Sequence, residues 1–99
     1  MKDNNSPKVS VGIPVYNGET MLKQAIDSVL KQSFTDFELI ISDNASTDST
    51  PEICKNFTQL DNRVVFIRHE KNRGPYWNFN FLLEKARGMY FVWLADDDY

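Results

Sequence analysis

The chain alternates short apolar runs with amphipathic segments. The apolar runs cover residues 9–15, 37–42, 64–67 and 89–94. The segments between them, residues 20–31, 49–60 and 76–87, carry apolar residues at the spacing of a helix. Strict alternation of this kind predicts an α/β, Rossmann-like β-α-β-α-β-α-β fold, with a mostly parallel sheet, flanking helices and right-handed crossovers.

Local signals set the expected ends and buried faces of these elements. Pro14 is expected to end the first strand. The second helix is expected to start from a hydroxyl N-cap with Pro51 in its first turn, and the third to stop at Gly88. The side chains expected to be buried are Ile53, Cys54, Phe57 and Leu60 on the second helix and Phe79, Leu82, Leu83 and Ala86 on the third.

Length and composition indicate one small globular domain. Of 99 residues, 41% are hydrophobic, which argues against disorder. We interpret residues 1–8 as a flexible lead-in and residues 9–99 as the folded part. The net charge of −3 gives no sign of a nucleic-acid binder. A lone cysteine fits a reducing compartment, and no apolar stretch approaches membrane-spanning length. Since residues 1–6 also lack the apolar core of a signal peptide, we expect a cytoplasmic location, either free or peripheral at the inner face of the membrane.

Parallel sheets bind ligands beyond the carboxyl ends of their strands, which directs attention to four loops. They cover residues 16–18, 43–48, 70–74 and 96–98. Asp43 could accept a hydrogen bond from a nucleobase or a ribose hydroxyl, or could instead form a turn with its own backbone. Tyr16 could stack on a base or simply pack against a neighbouring loop.

The other polar residues of these loops carry weaker signals. Asp48 is expected to cap the following helix. Residues 72–74 could place a cation and backbone donors near phosphates, or could form a plain turn. His69 is the only histidine, so a zinc site is improbable, and it is expected at the surface or at a strand end. Arg68 is expected to be solvated, and Cys54 to pack in the core.

Three consecutive aspartates, Asp96, Asp97 and Asp98, follow the last apolar run. Adjacent carboxylates repel one another unless a cation compensates. Mg²⁺ and Mn²⁺ prefer oxygen ligands of this kind, often shared with substrate phosphates. The alternative is a negatively charged turn without a ligand. Because the cluster follows a strand and shares an edge with three other polar loops, we expect a metal site.

Four segments together resemble a family 2 glycosyltransferase: VSVGIPVYNG, FTDFELIISDNASTD, NRG and ARGMYFVWLADDD. The resemblance covers nearly all of residues 8–98. It implies the first, nucleotide-binding half of a GT-A fold, which uses an NDP-sugar, most often a UDP-sugar, with Mn²⁺ or Mg²⁺. It also implies an inverting transfer of the sugar to an acceptor hydroxyl.

The resemblance assigns roles to individual residues. Pro14, Tyr16 and Asn17 match the segment that lines the base pocket, and Asp43 matches the acid that hydrogen-bonds the base. Asn44 stands where a second aspartate is common. Asn72 and Gly74 match a turn on the donor side. Residues 77–80 depart from the usual Ala-Arg-Asn, which suggests a particular donor preference.

The metal motif of the family corresponds to the aspartate triplet. Asp96 is expected beside the nucleotide, and Asp97 and Asp98 on the metal, with Asp97 the best single candidate. The usual first acid of that motif would fall on Ala95.

The resemblance leaves the catalytic base without a candidate, because family members carry it in a later half, which places it beyond Tyr99. We therefore expect the 99-residue chain to bind a donor nucleotide without transferring sugar, and to self-associate through an open sheet edge. Two alternatives stay open: a non-catalytic nucleotide- or metal-binding module resembling a receiver domain, and a product with only a structural or assembly role.

Overall fold

The computed structural model describes residues 7–94, which form a parallel sheet covered by helices. The elements are β1 (Val9–Val15), α1 (Leu22–Leu30), β2 (Phe37–Asp43), α2 (Thr50–Leu60), β3 (Val64–Arg68), α3 (Pro75–Lys85) and β4 (Tyr90–Trp93). The strand order is β3-β2-β1-β4, and every neighbouring pair is parallel. The α/β class and the element order predicted from the hydrophobic pattern are confirmed.

The strand order places a topological switch point beside β1. The chain moves outward from β1 to β2 and β3, then returns across the sheet to place β4 on the other side of β1. Ligand crevices form at such a switch point, beyond the carboxyl ends of the strands. Tyr16 follows β1 directly. The aspartate triplet follows β4 in the sequence but lies outside the described residues.

The two faces of the sheet differ in character because successive side chains of a strand point to opposite faces. Odd-numbered residues of β1 and β2, such as Ile13 and Ile41, join residues of α1 and α2 in the main apolar core. The even-numbered residues include Ser10, Glu38 and Ser42, which are buried and polar. These side chains contact α3 and the segment after it, so this face is held by hydrogen bonds as well as by packing.

Pro14 does not end β1, contrary to the sequence-based expectation, because the strand continues to Val15. The carbonyl of Gly12 accepts from Leu94 N–H, whereas the carbonyl of Val15 accepts from Asn44 N–H. Even-numbered residues of β1 therefore turn their backbone toward β4. Pro14 lies beyond the last described β1–β4 pairing, so its missing N–H breaks no described ladder bond.

Other details differ from the pattern-based expectations. Leu60 is 79% exposed because it is the last residue of α2, and Leu83 is 45% exposed. The fully buried side chains of α3 are Asn78 and Leu82, one helical turn apart. α1 begins at Leu22 instead of Thr20, since the chain first turns at residues 18–21.

Gly88 does not terminate α3, which ends at Lys85. A Cβ at this position would lie 2.6 Å from Ser10 N and 2.7 Å from Val9 C. A glycine is therefore needed where the α3–β4 connection passes against the backbone of β1.

Candidate functional site

Three strands end at the same level, which creates a polar edge. Val15 of β1 is the register partner of Asp43, and Asp43 is the register partner of Arg68 on β3. The loops that follow β1, β2 and β3 therefore leave the sheet side by side. This arrangement brings the predicted loops 16–18, 43–48 and 70–74 to one rim.

Asp43 lies at the centre of this rim and is fully buried. Its Oδ1 accepts hydrogen bonds from Ser46 N–H at 3.1 Å and from Ser46 Oγ at 2.5 Å, the local turn anticipated as the alternative role. Its Oδ2 has no hydrogen-bond donor among residues 7–94. A buried carboxylate oxygen of this kind is a rare feature that requires an explanation.

Arg68 compensates the charge of this carboxylate. Its Nε lies 3.4 Å from Asp43 Oδ2, and its terminal nitrogen donates to Ser46 O at 2.8 Å. The side chain of Arg68 is about half-exposed, whereas the side chain of Asp43 has no solvent exposure. Arg68 is exposed, as the sequence predicts. The sequence does not predict its ion pair with Asp43, because this pair depends on the register of the sheet and not on neighbours in sequence.

The loops after β1 and β2 are tied to each other. Asn17 has a left-handed φ of 52°, its N–H donates to Ser46 Oγ at 2.7 Å, and its Oδ1 accepts from Thr47 N–H at 2.8 Å. Gly18 N–H donates to Thr50 Oγ1 at 2.9 Å. Tyr16 is half-buried beside these bonds. Asn17 thus holds the two loops together.

The start of α2 differs from the expected hydroxyl cap. Ser49 is the N-cap residue but makes no capping hydrogen bond through its side chain, and the Thr50 hydroxyl is used by Gly18. Asp48 Oδ1 instead accepts from Thr50 N–H at 2.9 Å, which confirms its predicted capping role. Desolvation opposes ionisation of this carboxyl, but the bonds from Thr50 and Glu19 outweigh it and lower the pKa of Asp48.

Asn44 ties the third loop to the rim, a role that the sequence did not reveal. Its side chain is fully buried, with Nδ2 donating to Gly74 O at 2.9 Å and Oδ1 accepting from Arg73 N–H at 3.2 Å. Asn72 Oδ1 accepts from Gly74 N–H at 2.8 Å, and Gly74 has a φ of 93°. The only sequence signal for Asn44 is its position directly after a buried strand.

A second polar cluster lies behind Asp43. Asn78 of α3 donates through Nδ2 to Ser42 O at 2.9 Å and accepts from the Ser42 hydroxyl at 2.5 Å. Ser42 Oγ also lies 2.7 Å from His69 Nε2. His69 directly follows β3, so it lies at a strand end, as expected. It is half-buried, and its ring lies edge-on against Trp77 and Phe81. Burial lowers its pKa, and the nearby Arg73 adds to this effect against the opposing charge of Asp43.

Cys54 is buried, as predicted from its position on the helix face. Burial raises the pKa of its thiol to about 12, with a further contribution from the charge of Asp43. The thiol therefore stays protonated and has no nucleophilic role.

The predicted site residues thus fall into two groups. Pro14, Tyr16, Asn17, Asp43, Asn72 and Gly74 lie on or next to the strand tips of the described rim. Asp96, Asp97 and Asp98 lie outside the described residues. Within residues 7–94, no three His, Cys, Asp or Glu side chains are grouped so that they could hold a metal ion. The same part of the chain contains no helix long and apolar enough to cross a membrane.

The catalytic base has no counterpart on the described rim. The family resemblance implies a base outside residues 7–94, the part of the chain that the structure describes. The position of the base therefore stays a prediction.

Comparison with known sequences matches the chain to glycosyltransferases. The profile of glycosyl transferase family 2 matches residues 10–99. The chain is 43% identical over 95 residues to an uncharacterized glycosyltransferase of Haemophilus influenzae, covering 96% of this chain and 38% of that protein. It is 38% identical over 93 residues to the GalNAc(5)-diNAcBac-PP-undecaprenol beta-1,3-glucosyltransferase of Campylobacter jejuni, covering 93% of this chain and 30% of that protein. The chain therefore spans less than two-fifths of the length of these relatives.

Solved structures share the fold. Residues 1–349 of Staphylococcus aureus TarS, in complex with UDP-GlcNAc, match with a TM-score of 0.84 and 32% identity, covering 93% of this chain and 27% of that one. The mannosyltransferase PcManGT of Pyrobaculum calidifontis matches with a TM-score of 0.84 at 24% identity, covering 97% and 29%. The second likeness concerns the fold alone.

Proposed function

Because the chain belongs to glycosyl transferase family 2, we propose that residues 9–99 form the nucleotide-sugar-binding part of a glycosyltransferase. The reaction is the transfer of a sugar from an NDP-sugar to an acceptor hydroxyl, with inversion at the anomeric carbon. Family membership favours this function over a receiver-like module or a purely structural product.

The observation that carries the proposal is Asp43 Oδ2, a buried carboxylate oxygen that lies 3.4 Å from Arg68 Nε and has no hydrogen-bond donor among residues 7–94. A carboxylate oxygen at the carboxyl end of a parallel strand is an acceptor for a base that presents a ring N–H. Uracil and guanine each present a ring N–H next to a carbonyl. Cytosine and adenine present a nitrogen lone pair at the corresponding edge, which a carboxylate repels. We therefore propose a uridine nucleotide first, supported by the UDP-GlcNAc complex of TarS, and a guanosine nucleotide second.

The remaining rim residues supply the rest of this donor site. Pro14 and Tyr16 line the base, with the tyrosine ring available for stacking. Asn17 keeps the tyrosine loop in place through its bonds to the Asp43 loop. Asn72 and Gly74 shape the turn that leads into the N-terminus of α3, where backbone donors favour a phosphate.

The metal site of the proposal rests on the chemistry of its donor set. Asp97 and Asp98 would hold Mn²⁺ or Mg²⁺, and Asp96 would face the nucleotide, since adjacent carboxylates suit hard cations. β4 leads to these residues and lies beside β1 at the topological switch point. A bound divalent ion would neutralise negative charge on the departing diphosphate.

The proposal also includes what the isolated chain does. We expect it to bind a nucleotide diphosphate. We also propose that the protein is cytoplasmic, either free or at the inner face of the membrane. We propose that it self-associates through the edge of β4, the outer strand on that side of the described sheet.

Equilibrium titration of the purified chain with UDP, GDP, CDP and ADP, each with Mn²⁺ and with EDTA, tests the function. UDP or GDP is expected to bind at least about tenfold more tightly than CDP and ADP, and EDTA is expected to weaken binding. Asp43→Asn replaces the Oδ2 acceptor by a donor, so UDP affinity should fall about 30-fold, the range of a charge-assisted hydrogen bond.

Asp27→Asn on α1 is the matched control and should leave all four affinities unchanged. Equal binding of CDP and UDP, or an unaltered UDP affinity in Asp43→Asn, would overturn the proposal.

A further inference from the structure

Asn78 occupies a buried position on α3 where an apolar residue would pack without cost. It is fully buried, one turn before Leu82, the other fully buried side chain of the helix. A buried amide is tolerated only when its hydrogen bonds are made. Both of its described bonds go to one residue, Ser42, at the end of β2.

The hydrogen-bond pattern fixes the orientation of this amide. The Ser42 carbonyl can only accept, so the amide nitrogen of Asn78 must face it and Oδ1 must face the Ser42 hydroxyl. The single hydroxyl proton of Ser42 is then donated to Asn78. The remaining contact, 2.7 Å to His69 Nε2, must be a bond in which the imidazole N–H donates to Ser42 Oγ.

These bonds hold the peptide that leads into Asp43. Ser42 immediately precedes Asp43, and the Asp43 carbonyl accepts from His69 N–H at 2.9 Å. Ser46 fixes Oδ1 of the same carboxylate. With the backbone and one oxygen fixed, the direction of Oδ2 is determined.

We propose that Asn78 is a positioning residue of the nucleotide site, which acts through Ser42 to aim Oδ2 of Asp43 at a base with a ring N–H. This inference rests on the proposed function and goes beyond it, because it assigns base selectivity to a side chain of α3 that lies behind the rim. The same bonds place the proton of the neutral His69 ring on Nε2, which supplies an independent signal of the arrangement.

The test compares Asn78→Ala with Asn80→Ala, a matched control on the same helix whose amide is exposed. UDP and CDP affinities are measured for both variants, together with the ¹⁵N signals of the imidazole. His69 is the only histidine, so its signals need no assignment. The expected wild-type pattern is a protonated Nε2, an unprotonated Nδ1 and a preference for UDP.

In Asn78→Ala the Ser42 hydroxyl loses its acceptor and becomes free to donate to Nε2. The proton of His69 should therefore move toward Nδ1, UDP affinity should fall about tenfold, and CDP affinity should stay the same. Asn80→Ala should change neither the ring signals nor the ratio of affinities. A merely structural role for Asn78 would lower the melting temperature while leaving the UDP-to-CDP ratio intact.

A second pair of variants covers the case in which Asn78→Ala does not fold. Ser42→Ala removes the hydroxyl and should reduce the UDP preference, whereas Ser42→Thr keeps the hydroxyl and should retain it. An unaltered ratio in Ser42→Ala, or in a folded Asn78→Ala, refutes the positioning role while the proposed function stands. A wild-type chain that does not distinguish UDP from CDP refutes the proposed function, and this inference with it.

Discussion

Glu38 provides a quantitative test of how the fold is held at the edge opposite the candidate site. The residue is only 4% exposed. Its Oε2 accepts from Ser10 Oγ at 2.6 Å and from Arg87 N–H at 2.7 Å, and Oε1 accepts from Arg87 Nε at 3.1 Å. Ser10 Oγ in turn accepts from Gly88 N–H at 2.7 Å. One carboxylate thus anchors the α3–β4 connection to β1 and β2.

The loss of stability expected for Glu38→Ala depends on which hydrogen-bond donors lose their acceptor. Glu38→Ala deprives a buried donor, Ser10 Oγ, and a part-buried donor, Arg87 N–H, of their acceptor, at about 1–3 kcal/mol each. With the cavity included, we expect the free energy of unfolding to fall by about 3–5 kcal/mol. Arg87→Ala removes a side chain that is 60% exposed and keeps the backbone bond to Glu38, so it should cost less than Glu38→Ala, about 1–3 kcal/mol.

Urea denaturation followed by circular dichroism measures both variants. Glu84→Ala on α3, where the side chain is exposed, is the matched control and should stay within about 0.5 kcal/mol of the wild type. UDP affinity at low temperature should not change, since Glu38 lies at the opposite edge of the sheet. A Glu38→Ala variant within about 1 kcal/mol of the wild type would refute the anchoring role, as would an Arg87→Ala variant that is equally unstable.

Three further predictions concern single side chains. Gly88→Ala should prevent stable folding, because its Cβ would lie 2.6 Å from the backbone nitrogen of Ser10; a melting temperature within a few degrees of the wild type would contradict this. The free energy of unfolding should decrease as the pH falls below 6.5, the ordinary pKa of histidine, because the unfolded chain protonates His69 more readily than the folded chain. The decrease should stop below the folded-state pKa and should be absent in His69→Asn. Cys54 should react with a thiol reagent at a pH of about 8 only after unfolding, since its pKa is raised to about 12 and it is buried; fast reaction of the folded chain would contradict this.

The two carboxyl groups whose pKa is lowered, Asp48 and Asp61, do not obscure the histidine measurement. The hydrogen bonds from Arg63 lower the pKa of Asp61, and those from Thr50 and Glu19 lower the pKa of Asp48. Such groups stabilise the fold above their ordinary value of 3.8 and lose that contribution only as the pH falls further. His69 therefore begins to lower the free energy of unfolding below a pH of 6.5, well above the pH of 3.8 below which these two carboxyl groups begin to do so. A stability that does not change between a pH of about 7 and a pH of about 5 would refute the burial of a neutral His69.

The sequence by itself determined the order of elements and the edge of the sheet that carries the polar loops. These features follow from local periodicity, because the apolar spacing of a strand or helix is written in consecutive residues. Asp43 and Asn17 could be selected as candidate site residues from the sequence, since each stands at or just after the end of a predicted strand. Asp48 could be selected as a cap, because capping joins neighbours along the chain.

Only the tertiary structure decided the partners of those residues. Arg68 meets Asp43 because β2 and β3 pair in one particular register, and Asn78 meets Ser42 because α3 crosses that face of the sheet. Leu60 and Leu83 fit the helical period but lie outside the core, because the width of the buried stripe depends on what covers each helix. Contacts between residues far apart in sequence are set by register and crossing geometry, and no local pattern encodes them.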